Sequence, residues 1–437
     1  MDNSTYSLPS DASIHLDIKM AARTSARSQA TAEFLSAPWR FATRQTYDKD
    51  TNPDGVISFA LAENKLVVQD VQDFVNRNVT FESNDFNYGT TDRFPRALAA
   101  HLTEYLHPYL PIQPEHIRST SSCTALHDML AWAMADPGDA ILLNRPIYGR
   151  FELDFTNREQ VKILYADTDA ETCLKVSAIQ KYEEALADAA ASGIHVRAIL
   201  IVNPNNPLGQ CYHRNTLMEL MKLCQRHQIH LISDEVYACS VFDSDEPEAT
   251  PFTSMLSIDP RGLIDLDLLH VEYGFAKDFA AGGMKLGALV SRSRPILRAM
   301  DSLMRFHTPS GPVLNMACAL LEDRAWCRAY IDTMRTRTRA AHAHATEQLR
   351  AAGVPFLPGS NAGFFLWIDL SGHLPADLDG EENAEFAFAK KALAAGVFVQ
   401  PREEHANKPG WFRLVYTQDP AIVTEGIKRI KSVITAK

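Results

Sequence analysis

Residues 197–237, RAILIVNPNNPLGQCYHRNTLMELMKLCQRHQIHLISDEVY, contain the pattern that decides the fold. The runs AILIV and HLIS are short, apolar and bounded by turn residues, which predicts two buried strands. Between them, TLMELMKLCQRHQ carries apolar residues at helical spacing, which predicts a helix. A strand, a helix and a second strand in this order indicate parallel strands with a helix packed on the sheet.

The same alternation extends in both directions along the chain. Further predicted strands are AILLN at 140–144, VKILYAD, LLHVEYGF and LGALVS, and further predicted helices are TALHDMLAWAMA and VSAIQKYEEALADAAASG. The sequence therefore predicts an α/β fold, with a mostly parallel sheet covered by helices on both faces. We expect this large domain to span residues 68–310.

The pattern changes after about residue 295. A long helical stretch, ARAAHAHATEQLRAAG, precedes short strands in NAGFFLWIDL, VFVQP and WFRLVY and a last helix near EGIKRIKSVI. This mixture predicts a smaller α+β domain built from residues 1–67 and 311–437. A chain of 437 residues exceeds the usual size of one core, which agrees with two domains.

Charge and hydropathy exclude several functional classes. The formal net charge is −11, and nucleic-acid binding depends on clustered Lys and Arg, so we expect no nucleic-acid partner. No run of about 18 uncharged apolar residues occurs, so we expect no membrane partner. The N-terminal stretch MDNSTYSLPSDASIHLDIKM lacks a continuous apolar segment, and we expect a cytoplasmic location.

The cysteines and histidines give no sign of a metal site. Seven cysteines are scattered without CxxC spacing, which is typical of reduced thiols. His342 and His344 stand two residues apart on a predicted helix and so face different directions. We therefore expect no bound metal.

Polar residues follow three of the predicted strands. Asn206 follows ILIV, Asp234 follows HLIS, and Lys277 follows HVEYGF. Ligands bind at the carboxyl ends of strands in such sheets, so we expect these side chains to converge.

Each of these residues has a structural interpretation beside a chemical one. A lone lysine at a strand end is usually surface charge, whereas a desolvated amine can form an imine with an aldehyde. Asp234 could cap a helix or pair with a protonated pyridine nitrogen. Tyr237 would share a face with Asp234 if that segment turns helical, and with Asn206 it could bind a ring oxygen. Asn206 also suits an ordinary Asn-Pro turn.

Three further positions complete the candidate site. Thr124, with the backbone N–H groups of Ser122 and Cys123, opens a predicted helix, and such an N-terminus binds phosphate or simply caps the helix. Tyr148 could stack on a ring or belong to the core. Arg413 lies in an apolar strand and needs an anion, which could be a substrate carboxylate or a structural partner. An amine, a carboxylate, ring partners and a phosphate site are what pyridoxal 5′-phosphate (PLP) requires.

The motifs resemble those of a known family. The chain resembles fold-type I PLP enzymes of the class I/II aminotransferase group, and within that group 1-aminocyclopropane-1-carboxylate (ACC) synthase and the ACC-synthase-like proteins of fungi. The resemblance runs through LAENKL, NYGTTDRFPRALAAHL, ADPGDAILLNRPIYGRF, NPNNPLGQ, ISDEVY, GFAKDF and KPGWFRLVY. It implies an aspartate-aminotransferase-like fold and an amino-acid substrate.

The resemblance also implies a role for each candidate residue. By this resemblance Lys277 is the Schiff-base lysine and Asp234 is the partner of the pyridine nitrogen. Asn206 and Tyr237 bind the ring oxygen. Tyr148 stacks on the ring, and Arg413 binds the substrate carboxylate. Glu63 in LAENKL matches an acidic residue near the substrate in the ACC-synthase branch. Tyr88 in NYG matches a tyrosine that reaches the cofactor phosphate of a neighbouring subunit, which implies a homodimer with shared active sites.

The phosphate cradle departs from the family pattern. The family reads Ser-x-Ser-Lys before the Schiff-base position and carries an arginine eight residues after it. Here Gly274 and Ala276 replace the two serines, and Lys285 stands at the arginine position. Two hydroxyl donors are lost and a planar fork becomes a point charge, so we expect weaker phosphate binding.

The altered phosphate cradle determines how we rank the functional hypotheses. An aminotransferase must retain an untethered cofactor between half-reactions, so a weak cradle favours elimination, of the carbon–sulfur lyase type in secondary metabolism. The same residues would serve an aminotransferase that uses a 2-oxo acid, and Glu63 would suit an ACC synthase that uses S-adenosylmethionine. An inactive binding protein on this fold is the remaining alternative.

Overall fold

The computed structural model of the chain describes residues 24–35, 46–89, 91–244, 246, 248–378, 380–381, 383–401 and 406–436. Its helices are α1 (Ala26–Leu35), α2 (Val68–Asn78), α3 (Arg93–Leu106), α4 (Cys123–Met134), α5 (Phe151–Thr156), α6 (Ala178–Ala191), α7 (Arg214–His227), α8 (Phe275–Asp278), α9 (Arg294–His307), α10 (Gly311–Glu322), α11 (Arg324–Ala352), α12 (Ala384–Ala394) and α13 (Pro420–Thr435). Its strands are β1 (Ile57–Ser58), β2 (Ile117–Thr120), β3 (Ala140–Leu143), β4 (Lys162–Tyr165), β5 (Val196–Val202), β6 (His230–Asp234), β7 (Leu269–Gly274), β8 (Gly287–Ser291), β9 (Phe365–Asp369), β10 (Val397–Phe398) and β11 (Trp411–Val415).

Seven of these strands form the central sheet, in the order β2, β8, β7, β6, β5, β3, β4. Every neighbouring pair is parallel except those of β8, which runs antiparallel to β2 and β7. The prediction of a mostly parallel sheet is confirmed, and the six predicted strands are all present. The edge strand β2 was not predicted, because IRST has no distinctive apolar pattern.

Both faces of the sheet are covered by apolar cores. Along β5, Ile199 and Ile201 pack into one core, whereas Leu200 and Val202 pack into the other. This alternation with both faces buried explains why the strand is a continuous apolar run. The carboxyl ends of β5, β6 and β7 are thereby fixed side by side.

A smaller unit combines β1, which precedes the sheet in the chain, with segments that follow the sheet. Strands β9 and β11 pair antiparallel, and β1 pairs with β10 in parallel. The second half of α11, through Ala341, Ala345 and Leu349, packs in a separate core with α13. The domain division at 67/68 and 310/311 stays a prediction. The packing of α10 and the first half of α11 with the larger core favours a later boundary, inside α11.

Other expectations concern particular segments. All seven cysteines are free thiols. Among the helices of the described ranges, none combines the length and apolar character needed to cross a membrane. The N-terminal stretch used to predict the location lies largely within residues 1–23, outside the described residues, as do residues 36–45 of the predicted small domain.

Candidate active site

A cavity of about 730 Å³ lies at the carboxyl ends of β5, β6 and β7, where residues of β1, β10 and β11 close it from the other side. Ten of the twelve predicted site residues line this cavity. The ten are Ser122, Cys123, Thr124, Tyr148, Asn206, Asp234, Tyr237, Lys277, Lys285 and Arg413. The predicted convergence is therefore found in the structure.

Glu63 and Tyr88 are the two predicted residues outside this lining. Glu63 is exposed at the rim, where its Oε1 would lie 4.0 Å from a Cβ added at Gly282. Burial and Arg413 lower the pKa of Lys277, and the charge of Glu63 opposes part of that lowering. Tyr88 is fully exposed, so it does not contribute to the cavity of its own chain.

Lys277 presents its amine to the cavity from α8, a single helical turn that follows β7 directly. Its Nζ donates a hydrogen bond to the Ala62 carbonyl oxygen at 2.8 Å and lies 5.7 Å from the centre of the Tyr237 ring. Burial, and then the nearby Arg413 guanidinium, lower the pKa of Lys277 to about 8. The amine can therefore lose a proton near neutral pH.

Asp234 is the last residue of β6 and is buried at the base of the cavity. Its Oδ1 accepts a hydrogen bond from the Val236 N–H at 3.1 Å. Burial, and then the neighbouring Glu272 carboxylate, raise the pKa of Asp234 to about 7. The segment after it forms turns and not a helix, so the helical face proposed for Asp234 and Tyr237 is wrong. Both side chains reach the cavity through the turns instead.

The NPNNPLG loop uses its asparagines for different purposes. The Asn203 side chain accepts from the Tyr212 N–H and donates to the Thr253 carbonyl oxygen, which anchors the loop. Asn206 points to the cavity, and its Oδ1 accepts a hydrogen bond from Arg413 at 2.8 Å. The loop is therefore a turn anchored by Asn203, and it brings Asn206 to the cavity, where binding of a ring oxygen stays a prediction.

Arg413 reaches the cavity from β11 and is almost completely buried. Its guanidinium donates to Asn206 and, at 2.7 Å, to the Ala60 carbonyl oxygen. It also lies 5.7 Å from the centre of the Phe365 ring, which packs edge-on against Tyr237. Both of these acceptors are neutral oxygens, so neither of them neutralises the charge of the guanidinium.

The N-terminus of α4 lines the cavity at the position where the phosphate site is predicted. Ser122 is the N-cap, and its Oγ accepts from the Ala125 N–H at 3.1 Å. The Cys123 and Thr124 N–H groups belong to the first turn, where they have no partner within the helix. Gly287 of β8 allows close approach here, because a Cβ at this position would lie 2.7 Å from the Cys123 nitrogen.

The altered cradle residues have a steric explanation at one position. A Cβ added at Gly274 would lie 2.8 Å from Cys123 Sγ. The thiol thus occupies the space that a serine side chain at position 274 would need. Lys285 lines the cavity from a left-handed backbone conformation, with φ of 54°.

Three charged residues behind Asp234 were not predicted. His127 of α4 places Nδ1 at 2.8 Å from Asp154 Oδ2 and Nε2 at 2.9 Å from Glu272 Oε2. Burial lowers the pKa of His127, but Glu272 and Asp154 outweigh it and raise that pKa well above its usual value. Glu272 interrupts the apolar strand LLHVEYGF, and this signal could have identified it.

Three further polar residues that were not predicted also line the cavity. They are Arg150, and Ser58 and Gln400 from the smaller unit. Arg150 lies in the motif ADPGDAILLNRPIYGRF, two residues after Tyr148, and this position was the available signal.

The residues present fit PLP. A half-buried amine of lowered pKa suits the aldehyde, and a buried carboxylate suits the pyridine nitrogen. The Tyr148 ring lines the wall, and the start of α4 with Lys285 offers N–H donors and a cation for the phosphate. The loss of two hydroxyls reduces the donors and leaves the others in place.

Comparison with known proteins agrees with this fit. The model of the family "Aminotransferase class I and II" matches residues 56–430. The chain is 30% identical over 412 residues to human ACC synthase-like protein 1, covering 90% of this chain and 78% of that one. It is 31% identical over 400 residues to ACC synthase 3 of rice, covering 87% of each. A mutant aspartate aminotransferase of Thermus thermophilus superposes with a TM-score of 0.71 at 20% identity, covering 95% of this chain and 98% of that one, and shows the same fold. The chain belongs to the class I and II aminotransferase family, whose members are PLP-dependent enzymes.

Proposed function

We propose that this protein is a PLP-dependent lyase that eliminates a sulfur-bound leaving group from an α-amino acid, as in secondary metabolism. The observation that supports it is the combination of an intact Lys277 with a cradle that has no hydroxyl at positions 274 and 276. Such a site depends more on the lysine to retain its cofactor than a site with both hydroxyls would.

PLP, when bound, supplies an aldehyde that links to amines and a protonated ring that accepts the electron pair left at the substrate α-carbon. Asp234 would hold this ring through a charge-assisted hydrogen bond to its nitrogen. Asn206 and Tyr237 would bind the ring oxygen, and Tyr148 would limit movement of the ring, since all three line the cavity.

Arg413 binds the substrate carboxylate, because a buried guanidinium offers two parallel N–H groups to such an anion. Its bond to Asn206 fixes the carboxylate relative to the ring. Lys277 removes the α-proton, for which a pKa of about 8 is suitable near neutral pH. The overall reaction would convert an S-alkylcysteine and one water molecule into a thiol, a 2-oxo acid and ammonia.

The retention of the cofactor distinguishes elimination from amino transfer. An aminotransferase must hold the aminated cofactor without a covalent bond between its two half-reactions. An eliminating enzyme restores the bond to its lysine in every turnover, so it tolerates a cradle with fewer donors. The space beside Gly274 is filled by Cys123, which makes the reduced cradle an intrinsic part of this packing.

Product analysis tests this proposal. Purified protein is incubated with S-alkylcysteines, ordinary amino acids and S-adenosylmethionine, each with and without a 2-oxo acid, and products are identified by mass spectrometry. We expect thiol, 2-oxo acid and ammonia from an S-alkylcysteine without any acceptor, and none from Lys277→Ala. A strict, stoichiometric requirement for a 2-oxo acid would contradict the proposal and indicate an aminotransferase.

Two observations favour other functions. The relatives named ACC synthase, with Glu63 at the cavity rim, favour synthesis of ACC from S-adenosylmethionine. Formation of ACC in the same assay would establish that activity. Some relatives are named as probable inactive proteins. A protein that binds no PLP would support a binding role on this fold.

We further propose a homodimer that shares its active sites. Tyr88 is fully exposed, and Phe81 and Phe86 are also exposed nearby in the chain, which is unusual for three aromatic rings in one segment. A second copy would cover this segment and receive Tyr88 at its own phosphate site. The cytoplasmic location and the absence of nucleic-acid and membrane partners stay predictions.

A further inference from the structure

A buried chain of charged groups leads from α5 to the base of the cavity. His127 contacts Asp154 through one ring nitrogen and Glu272 through the other, at 2.8 and 2.9 Å. His127 and Glu272 are buried, and Asp154 is nearly so on its side-chain atoms. The ring of His127 packs against Phe151 and Phe155, which suits a cation. Both ring nitrogens are engaged by carboxylates, so the ring offers no lone pair to a metal ion.

The chain of charges ends beside Asp234. Glu272 of β7 is the register partner of Asp234 of β6, so the two side chains project from the same face of the sheet. One oxygen of each, with a nitrogen of His127, lie within 4.8 Å of one another. Glu272 Oε1 is buried and has no hydrogen-bond partner within the described part of the chain. An apolar core surrounds this group.

Two carboxylates so close in an apolar setting resist ionising together. The positive charge of the His127 imidazolium is paired with Glu272, at 2.9 Å between Nε2 and Oε2, and not with Asp234. Among the residues that the structure describes, no side-chain cation lies in hydrogen-bond contact with Asp234, whose Oδ1 accepts from the Val236 N–H. The proton of this pair is therefore expected on Asp234.

We propose that Glu272 is a positioning residue that keeps Asp234 protonated in the ligand-free protein, so that binding of a protonated pyridine ring displaces a proton from Asp234. The proposal rests on the PLP site described above. The proton passes from the Asp234 carboxyl group to the buffer, and the ring N–H takes its place. No bond between heavy atoms forms or breaks in this step.

The other groups around Asp234 do not reverse this outcome. Cys123 faces it from α4 and Lys277 from α8, and Asp154 acts through His127. His127 and Lys277 lower the pKa of Asp234, but burial and Glu272 outweigh them, and the pKa is about 7. Arg413, from β11, acts on Lys277. Cofactor affinity should therefore weaken as the pH falls below 7.

Isothermal titration calorimetry in buffers of different ionisation enthalpy counts the protons released on binding. The probe is 4-deoxypyridoxine 5′-phosphate, which has the ring and phosphate but no aldehyde, so Lys277 forms no bond with it. At about pH 6.5 we expect full-length wild-type protein to release up to about one proton per site more than Glu272→Gln. Glu184→Gln, at an exposed glutamate paired with Lys181, serves as the matched control and should behave as wild type.

Infrared spectroscopy supplies a second measurement. Buried Glu235 and Asp278 also have raised pKa values, of about 7 and about 6, so the spectrum of Asp234→Asn is subtracted from that of the ligand-free wild type. The difference should contain the carbonyl band of a protonated carboxyl group. If Glu272→Gln does not fold, Glu272→Leu suits the apolar strand and removes the same charge. Equal proton release by wild type and the folded Glu272 variant, or no carboxyl band in the difference spectrum, would overturn the proposal. A wild type that does not bind the probe would overturn the cofactor site itself.

Discussion

Cys123 and Gly274 are sterically coupled, because a Cβ at position 274 would lie 2.8 Å from the Cys123 sulfur. The two residues are 151 positions apart in the chain and meet where the start of α4 approaches the end of β7. The sulfur also lies 3.7 Å from the Tyr273 carbonyl oxygen. A cradle hydroxyl and the thiol cannot both occupy this space without movement.

The first prediction follows from that contact. Gly274→Ser alone should overpack the site and destabilise the protein by roughly 1–3 kcal/mol, without strengthening cofactor binding. The double variant Cys123→Ala/Gly274→Ser should recover most of the stability and bind PLP more tightly than wild type. Urea unfolding and equilibrium PLP titration measure both effects. A single Gly274→Ser variant as stable as wild type would show that the thiol moves aside freely.

Lys285 provides the second prediction. Lys285→Ala should weaken PLP binding by about tenfold or more, because a hydrogen bond to a charged group is worth about 1.5–3 kcal/mol. Lys285→Arg restores the planar fork and should slow cofactor dissociation relative to wild type. Loss of PLP absorbance during gel filtration gives the dissociation rate. If Lys285→Ala retains PLP as wild type does, the phosphate lies elsewhere.

Arg413 provides the third prediction. Arg413→Lys keeps the charge but loses the pair of parallel donors and the bond to Asn206, so KM for an amino acid should rise strongly. Loss of a hydrogen bond to a charged group costs about 1.5–3 kcal/mol, so kcat/KM should fall at least roughly 10-fold. Steady-state kinetics measure this, and the corresponding amine without a carboxylate should be insensitive to the substitution. An equal loss with both compounds would contradict the carboxylate role.

The fourth prediction concerns stability against pH. The pKa of Lys277 is lowered to about 8 in the folded, ligand-free protein, so the unfolded chain binds more protons between pH 8 and about 10.5. The free energy of unfolding should therefore rise with pH across this window by roughly 2 kcal/mol more in the wild type than in Lys277→Met. Water in the open cavity keeps this rise below the full value that the pKa shift implies. Denaturant unfolding of both proteins across the window measures the difference, which should vanish if the amine is not desolvated.

Tyr88 provides the fifth prediction. Tyr88→Ala and Lys277→Ala should each have little activity, but a mixed dimer places both defects in one site and leaves the other intact. Co-refolded or co-expressed variants should therefore recover up to about a quarter of wild-type activity, as random pairing predicts. Mixtures that remain inactive, although analytical ultracentrifugation shows dimers, would contradict the shared site.

The sequence predicted most of the sheet and of the cavity because apolar runs and strand-end residues are local signals. Asn206, Asp234 and Lys277 were found together because parallel strands bring their carboxyl ends to one edge. Their detailed settings depend on tertiary contacts. The turns after Asp234, the Arg413 bond to Asn206 and the filling of the Gly274 space by Cys123 each join segments that no local pattern relates.

The charged residues behind Asp234 show a different limit. Glu272 and Arg413 are both charged residues within apolar strand sequences, and this can be recognised from the sequence alone. A buried charge of this kind needs a partner. His127 and Asp154, by contrast, lie on helices where a polar residue is ordinary. Only the packing of α4 and α5 against β7 shows that they form one network.

Mapping the cofactor attachment tests the central claim most directly. The protein as purified with PLP is treated with borohydride, digested and analysed by mass spectrometry. We predict a phosphopyridoxyl group on Lys277 in the wild type and none on any lysine of Lys277→Ala. Attachment to Lys285 or to another lysine in the wild type, or no attachment at all, would contradict the account.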